Sequence, residues 1–308
     1  MTKKLLPNFL IVGAAKSGTS SLHYYLNQHP QIFMPSYTKE GIKIKEPMFL
    51  VKDSVQNRVH NGIWDFEEYK NIFETEKNDV KAVGEATVFY LNFYEEAITN
   101  IKKYLGEEVK IIIILRNPVD RAYSAYHHTL RNNPHEDLEF EEALKVEEIR
   151  YNENKNITPM TLYKSMGMYF EMVKAYKENF KNVKVILYDD FEKNTSHVVG
   201  EVFTFLGVND NYQINFKERV NVGGWNWKNN TAKGLYLNQG VLKKALKKIV
   251  MPFPGLKKYL KKNLFENKKM VVPEINEYTR KYLQDFYRED IFNISKLIGR
   301  DLSNWLKQ

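Results

Sequence analysis

Short runs rich in apolar residues recur along the chain up to about residue 208, and stretches with helical periodicity follow them. The runs at residues 8–12, 80–84, 109–115 and 183–188 predict short strands. The third run has four consecutive isoleucines, at 111–114, which is typical of a parallel strand buried on both faces. These runs predict a parallel sheet at the centre of the fold.

Helix signals separate the predicted strands. Asn117 and Pro118 provide an N-cap and a first-turn proline after the third strand. Further helices are predicted at residues 163–179 and 195–206, and Gly207 closes the second of them. Strands that alternate with helices predict an α/β fold in which helices flank both faces of a central parallel sheet.

We expect one α/β domain over residues 1–308, because no internal repeat or low-complexity linker divides the chain. Its parts are a core at about 8–208, a loop rich in Gly, Asn and Trp at about 217–231, a basic helical segment at about 241–270 and C-terminal helices at about 274–307.

The chain has no cysteine among its 308 residues. This excludes disulfide scaffolds, cysteine-ligated zinc, iron–sulfur clusters and thiol nucleophiles, and it is compatible with a cytoplasmic, reducing compartment. No apolar run approaches the roughly 20 residues of a membrane-spanning helix, and Pro7 and Asn8 interrupt the apolar stretch near the start. We therefore expect no membrane span and no signal peptide.

Most of the positive charge lies in one segment. Residues 241–270 contain ten lysines and one glutamate, which exceeds the net charge of +8 of the whole chain. The rest is almost neutral, whereas a nucleic-acid binder would spread basic residues over its core, so we expect no nucleic-acid partner. The helical spacing favours core-facing helices with solvated lysines. A basic amphipathic surface that makes peripheral contact with an anionic membrane or an acidic polymer is the open alternative.

The turn after the first predicted strand has the composition of an anion site. Residues 13–20 place a lysine, glycines and three hydroxyl residues between a strand and a helix, where backbone N–H groups and the helix N-terminus favour a phosphate. The turn is not a Walker A loop, because Lys16 precedes Gly18 instead of following the second glycine. On composition alone, an ordinary helix start explains it equally well.

A second motif follows the third predicted strand. Arg116 leaves the C-terminal end of that strand, where open α/β sheets bind ligands, and Ser124 lies about two turns into the next helix. The turn and this pair together resemble the phosphate sites of sulfotransferases that use 3′-phosphoadenosine 5′-phosphosulfate (PAPS). The resemblance implies a P-loop-like fold and a 3′-phosphate bound by Arg116 and Ser124. It also implies that the 5′-phosphosulfate is bound by Lys16, Ser17, Gly18, Thr19 and Ser20.

Other residues resemble the carbohydrate and heparan-type branch of that family. Lys45-Glu46 resembles the element whose glutamate acts as base on the acceptor hydroxyl, so Glu46 is the implied base. Lys16 is the implied catalytic cation on the leaving oxygen. Arg219, in the loop at 217–231, is implied to contact the nucleotide that this loop covers.

The acceptor side departs from the family in one residue. Residues 84–90 are similar to the segment that closes the acceptor side of the cleft, but Ala86 stands where heparan-type members often have a lysine. The implied reaction is in-line sulfuryl transfer to a hydroxyl of a carbohydrate or glycolipid. It needs no metal, and no cluster of His, Asp or Glu with ligand spacing argues for one.

Two other classes of function stay open. A nucleotide-dependent kinase or NTPase could use the same strand and turn, although the Walker A lysine and a clear magnesium-binding aspartate are missing. A non-enzymatic protein that binds membranes or polyanions through the lysine segment would leave both phosphate motifs unexplained. His127 and His128 belong to no motif for a catalytic base, so we expect them to be packing or surface residues.

Overall fold

Strands and helices alternate along the part of the chain that the computed structural model describes, which is residues 3–36, 38, 41, 44–59, 61–133, 136–217 and 272–307. The strands are β1 (Lys3–Lys4), β2 (Phe9–Gly13), β3 (Ile32–Phe33), β4 (Glu74–Thr75), β5 (Ala82–Ala86), β6 (Lys110–Leu115) and β7 (Val183–Leu187). The α-helices are α1 (Thr19–Leu26), α2 (Lys52–Val55), α3 (Phe66–Asn71), α4 (Phe89–Asn92), α5 (Tyr94–Tyr104), α6 (Pro118–Asn132), α7 (Phe140–Glu153), α8 (Tyr169–Asn179), α9 (Tyr188–Lys193), α10 (Thr195–Leu206) and α11 (Glu277–Ile298).

The central sheet has five parallel strands in the order β3-β5-β2-β6-β7. The chain moves from β2 to one side of the sheet and then, with β6, to the other, so the strand order reverses at β2. The loops after β2 and β6 therefore open side by side at the edge where α/β proteins bind ligands. The predicted α/β fold with a central parallel sheet flanked by helices is confirmed.

Both faces of the sheet are buried. In β6, the side chains of Ile111, Ile113 and Leu115 join one apolar cluster, and those of Ile112 and Ile114 join the other. All five side chains have no exposed surface. Because successive side chains of a strand point to opposite faces, a strand covered on both sides must be apolar throughout.

Two predicted strand boundaries are wrong. β5 covers Ala82–Ala86 and not 80–84, because the strand continues through Glu85, a charged residue whose carboxylate is fully buried among hydroxyl groups. β7 ends at Leu187, and Tyr188 begins α9, where two aspartates in the first turn favour a helix N-terminus.

The helix predicted at 163–179 begins only at Tyr169. Before it, the carboxylate of Glu147 on α7 accepts a hydrogen bond from the backbone N–H of Lys164 at 2.7 Å. At its start, the carboxylate of Asp290 on α11 accepts one from the N–H of Tyr169 at 2.8 Å. These carboxylates from distant helices fix where α8 starts, and apolar periodicity does not reveal them.

The predicted cap residues are confirmed. The side chain of Asn117 accepts a hydrogen bond from the backbone N–H of Val119 at 3.0 Å, and Pro118 is the first residue of α6. Gly207 closes α10 with a φ of 77°, a left-handed conformation that glycine adopts readily.

The C-terminal region is helical as predicted, because α11 spans Glu277–Ile298. Beyond it, Trp305 is buried and its indole N–H donates to the carboxylate of Asp189 at 3.1 Å. The predicted loop at 217–231, apart from residue 217, and the basic segment at 241–270 lie outside the described residues. The single domain over the whole chain stays a prediction. None of the described helices has the length and apolarity needed to cross a membrane.

The close approach of Gly84 to Phe9 can be tested with two Gly→Ala variants. A Cβ at Gly84 would lie 2.4 Å from Cζ of the buried Phe9 ring, whereas one at Gly200, inside α10, would meet no atom within 4 Å. We expect Gly84→Ala to lower the free energy of unfolding by about 1–3 kcal/mol, measured by urea denaturation. Gly200→Ala should raise it by up to about 1 kcal/mol. Equal effects of the two variants would contradict close packing at Gly84.

Candidate active site

The loop after β2 presents backbone N–H groups at the open edge of the sheet. Lys16 has a φ of 68° and Gly18 a φ of 89°, so the chain turns tightly before α1. Among the described side chains, none caps the N-terminus of α1, so its first N–H groups can bind an anion. Gly18 is required here, because a Cβ would lie 3.3 Å from the rings of Tyr188 and Phe191 at a φ that other residues rarely adopt.

Ser17 places a hydroxyl inside this loop. Its side chain is fully buried, and within the described part of the chain its Oγ has no hydrogen-bond partner. A buried hydroxyl without a partner costs about 1–3 kcal/mol. A bound phosphate or sulfate group would supply an acceptor oxygen and remove that cost. The loop therefore fits such a ligand.

Arg116 lies beside the loop because it follows β6, the neighbour of β2 in the sheet. Its Nη1 donates to the backbone oxygen of Lys16 at 3.1 Å, and the guanidinium lies 4.8 Å from the centre of the Tyr188 ring. The hydroxyl of Tyr169 donates to the backbone oxygen of Arg116 at 3.0 Å. A guanidinium has five N–H donors, so Arg116 can bind an anion while it holds the loop.

Lys45 joins Glu46 to the same loop. The ammonium of Lys45 donates to Oγ of Ser20 at 2.8 Å and to Oε1 of Glu46 at 2.9 Å. Both side chains of the ion pair are partly exposed, at 22% and 24%, so solvent reaches the region between this pair, the Lys16 loop and Arg116, here called the cleft. A carboxylate thus lies next to the first turn of α1.

Positive charges surround Lys16. Burial is the main cause that lowers the pKa of its ammonium from 10.5 to about 8. Three positive neighbours lower that pKa further and the carboxylate of Glu46 opposes them; the positive neighbours are Arg131, Arg116 and Lys45. The cleft therefore carries an excess of positive charge. A multiply charged anion would offset this excess and favour the charged form of Lys16.

One face of α6 completes the cleft. Ser124, His128 and Arg131 are spaced at i, i+4 and i+7, so they share that face. Burial, and then the charges of Lys16, Arg131 and Lys45, lower the pKa of His128 from 6.5 to about 3. His128 is therefore a neutral imidazole beside the cationic loop, and it can donate one hydrogen bond and accept another.

The structure brings most of the predicted site residues together. Lys16 and Arg116 are in direct contact, and Glu46 reaches the loop through Lys45. Ser124 shares one face of α6 with His128, and His128 lies close enough to the loop for the charge of Lys16 to lower its pKa. The residues of the loop itself are Lys16, Ser17, Gly18, Thr19 and Ser20. Arg219 lies outside the described residues.

Sequence reasoning missed His128 and Arg131 as cleft residues. The signal was present, because both follow Ser124 at helical spacing. The orientation of α6 about its axis was not known, however, and it decides which residues of that helix face the loop. Among the residues that the structure describes, no group of three or more His, Cys, Asp or Glu side chains could hold a metal ion.

A buried carboxylate lies behind the cleft. Glu85 has no exposed surface, and its carboxylate accepts hydrogen bonds from the hydroxyls of Tyr90 at 2.5 Å, Thr87 at 2.7 Å and Tyr69 at 3.1 Å. Burial raises the pKa of Glu85 from 4.5 to about 7, the three hydroxyls oppose the rise, and the charge of Glu46 adds to it. Glu85 and Glu46 are therefore close enough to influence each other.

Comparison with known proteins identifies similar sequences. A family model described as a sulfotransferase domain matches residues 6–290. The membrane-associated sulfotransferase kil1 of Dictyostelium discoideum is 33% identical over 207 residues, which cover 65% of this chain and 38% of that protein. The human bifunctional heparan sulfate N-deacetylase/N-sulfotransferase 3 is 27% identical over 320 residues, which cover 98% of this chain and 31% of that protein. The chain thus spans about a third of the length of these relatives.

A solved structure is similar over the whole chain. The crystal structure of a sulfotransferase from Alicyclobacillus acidocaldarius superposes with a TM-score of 0.70 at 30% sequence identity, covering 98% of this chain and 99% of that one. These matches do not favour the alternatives of a kinase or NTPase, or of a non-enzymatic protein that binds membranes or polyanions.

The raised pKa of Glu85 predicts a specific pH dependence of stability. Between pH values of about 4.5 and about 7 the folded protein keeps a proton on Glu85 that the unfolded chain releases, so the free energy of unfolding falls as the pH rises. The ionisable groups that interact with Glu85 are Tyr69, Tyr90, Tyr176 and Glu46.

Urea denaturation of the wild-type protein and of Glu85→Gln at about pH 5 and about pH 7.5 measures this effect. We expect the stability of the wild type relative to the variant to fall with increasing pH, by at most about 3 kcal/mol. A pH-independent difference would show that Glu85 titrates normally in the folded protein.

Proposed function

The chain belongs to the sulfotransferase domain family, and we propose that it transfers a sulfuryl group from PAPS to an acceptor hydroxyl. One observation carries the proposal: the loop with Lys16 and the unpartnered hydroxyl of Ser17 lies directly against Arg116, at the ends of adjacent parallel strands. Two anion-binding elements side by side suit a nucleotide that carries phosphate groups at two positions.

The loop is the proposed site of the 5′-phosphosulfate. The N–H groups at the start of α1, the hydroxyl of Ser17 and those of Thr19 and Ser20 would bind its oxygens. Arg116 and Ser124 would bind the 3′-phosphate, which distinguishes PAPS from ATP. Arg219, outside the described residues, is proposed to contact the nucleotide as well.

Bound PAPS supplies the sulfuryl group, which is displaced in line from its bridging oxygen by the acceptor oxygen. Glu46 takes the proton of the acceptor hydroxyl as the new oxygen–sulfur bond forms. Lys16 stabilises the negative charge on the phosphate oxygen as its bond to sulfur breaks. The electron pair of that bond stays on the nucleotide product. The positive charge around Lys16 supports this role, because it attracts an anionic leaving group.

His128 is a further residue of the reacting centre in this proposal. Burial and the charges of Lys16, Arg131 and Lys45 lower the pKa of its imidazole, whose ring N–H can donate a hydrogen bond to an oxygen of the sulfuryl group. We therefore assign it the positioning of that group.

The acceptor is proposed to be a carbohydrate or glycolipid hydroxyl. The similarity to a heparan sulfate N-sulfotransferase supports a carbohydrate, although the chain spans only 31% of that protein. Ala86 argues against an acceptor that needs a cation at this position. A cytoplasmic location is compatible with a chain that has no cysteine. Two observations support peripheral membrane contact through residues 241–270: their positive charge and the similarity of the chain to a membrane-associated relative.

Titration calorimetry with 3′-phosphoadenosine 5′-phosphate (PAP), ADP and ATP tests the donor site. We expect PAP to bind at least about tenfold more tightly than ADP, because charge-assisted hydrogen bonds to the 3′-phosphate contribute about 1.5–3 kcal/mol. Arg116→Ala should abolish this preference. Arg300→Ala, which removes an exposed arginine paired with Asp190 at 2.9 Å, is the matched control and should bind PAP like the wild type.

Equal affinity of the wild type for PAP and ADP would contradict the donor assignment and favour the alternative of a nucleotide kinase. Tight PAP binding makes an acceptor screen worthwhile, in which labelled PAPS is incubated with a mixture of unsulfated oligosaccharides and glycolipids and the sulfated products are identified.

The role of Glu46 can be separated from donor binding. Glu46→Gln removes the proton acceptor and keeps the size of the side chain, so we expect kcat to fall by about 100-fold or more with little change in PAP affinity. Glu171→Gln, at an exposed ion pair on α8, is the control and should turn over PAPS normally. Full activity of Glu46→Gln would assign the base to another residue.

A further inference from the structure

Glu85 carries a buried carboxylate that no step of the proposed sulfuryl transfer uses. Two of its three hydroxyl partners also contact the segment that follows Glu46. Oγ1 of Thr87 accepts a long hydrogen bond from the backbone N–H of Met48 at 3.4 Å, and the hydroxyl of Tyr90 accepts one from the N–H of Leu50, also at 3.4 Å. The carboxylate is thus linked, through two side chains, to the backbone beside Glu46.

The backbone at Met48 needs such support. Met48 has a φ of 61°, in the left-handed region, although it is not a glycine. A residue other than glycine is strained in this region and persists there only where its surroundings fix it. Because Met48 lies two residues after Glu46, its conformation determines how the backbone at Glu46 is oriented relative to the segment that follows.

The charge of the carboxylate orients the two linking hydroxyls. In its ionised form, which predominates above a pH of about 7, the carboxylate can only accept hydrogen bonds, so the protons of Thr87 and Tyr90 point toward Glu85. The lone pairs of these hydroxyl oxygens are then free to accept the N–H groups of Met48 and Leu50. An uncharged amide at position 85 would turn at least one hydroxyl around, because its NH2 group donates instead of accepting.

We propose that Glu85 is a positioning residue for Glu46, which it fixes through the hydroxyls of Thr87 and Tyr90 and the backbone of Met48 and Leu50. The proposal rests on the proposed function, in which Glu46 is the base. Nothing in it requires Glu85 to touch either substrate.

Four variants of the full chain test this relay. Thr87→Val removes the hydroxyl between Glu85 and Met48, and Thr87→Ser keeps it. Glu85→Gln removes the charge. Tyr69→Phe is the matched control, because it takes one hydroxyl from the same carboxylate and keeps the ring that stacks on Phe49 at 4.7 Å.

The first readout is amide hydrogen exchange at Met48 and Leu50, resolved by residue and normalised to Ile112 in the central strand, which reports global unfolding. We expect exchange at Met48 to be at least about tenfold faster in Thr87→Val and Glu85→Gln than in the wild type. Thr87→Ser and Tyr69→Phe should stay within about threefold of the wild type. Equal acceleration in Tyr69→Phe, or none in Thr87→Val, would overturn the relay.

The second readout is turnover of PAPS with the acceptor mixture, together with calorimetric titration of PAP. Glu85→Gln and Thr87→Val should lower kcat at least about tenfold with the KM for PAPS and the affinity for PAP within about twofold of the wild type. Thr87→Ser should restore kcat. Normal kcat in both variants, or an equal loss in Tyr69→Phe, would overturn the positioning role.

The two readouts distinguish this proposal from the proposed function. If the wild type neither binds PAP nor consumes PAPS, the donor assignment fails and the positioning role fails with it, whereas the exchange data still decide whether Glu85 holds the segment. If the wild type is active and the exchange rates do not respond to Thr87→Val, only the positioning role fails.

Discussion

Mutual repulsion of like charges is the constraint that the rest of this structure must meet. Four basic side chains are held around one cleft at the C-terminal edge of the sheet: Lys16, Lys45, Arg116 and Arg131. The other three lower the pKa of Lys16, and Lys16, Arg131 and Lys45 lower that of His128. Specific contacts oppose the repulsion: Arg116 bonds to the backbone of the Lys16 loop, and Lys45 bonds to a hydroxyl and a carboxylate. A cleft of this kind is most stable with an anion in it, so the charge arrangement supports the proposed donor site as much as any single contact does.

Buried carboxylates fix the segments that surround this cleft. Glu147 and Asp290 accept backbone N–H groups before and at the start of α8, and Glu85 accepts the hydroxyls that contact the segment after Glu46. Each is an acidic residue that would be expected at the surface, and each has its hydrogen bonds satisfied inside the protein. Loops held in this way can keep a defined shape without forming regular secondary structure. The backbone of these segments is therefore held by carboxylates that are distant in sequence, two of them on helices and one on β5.

The part of the candidate site that is proposed to bind the donor could be predicted from the sequence, because parallel strands always bring their C-terminal ends to the same edge of a sheet. The turn at Lys16 follows one buried apolar strand and Arg116 follows another. Because the two strands are parallel, both groups lie at the same edge of the sheet. The caps at Asn117 and Gly207 and the central sheet follow from local signals. The start of α8 and the extent of β5 do not, because Glu147, Asp290 and Glu85 act on them across long sequence separations, and a charged residue is ordinarily a sign that a buried element has ended.

The residues that α6 and Lys45 bring to the cleft could be predicted only in part, because residue spacing does not give the rotation of a helix about its axis. Spacing puts Ser124, His128 and Arg131 on one face of α6, but it does not say which face meets the loop. The packing of α6 against α11 and against the segment before α8 decides that. The position of Lys45 and Glu46 could not be predicted either, because adjacent charged residues in a loop are ordinarily solvated. Only the contact of Lys45 with Ser20 shows that this ion pair faces the Lys16 loop. The placement of Arg116 beside the Lys16 loop thus depends on two parallel strands that local signals predict. The placement of Ser124, His128, Arg131 and Lys45 depends on helix rotation and loop packing, which are properties of the folded core as a whole.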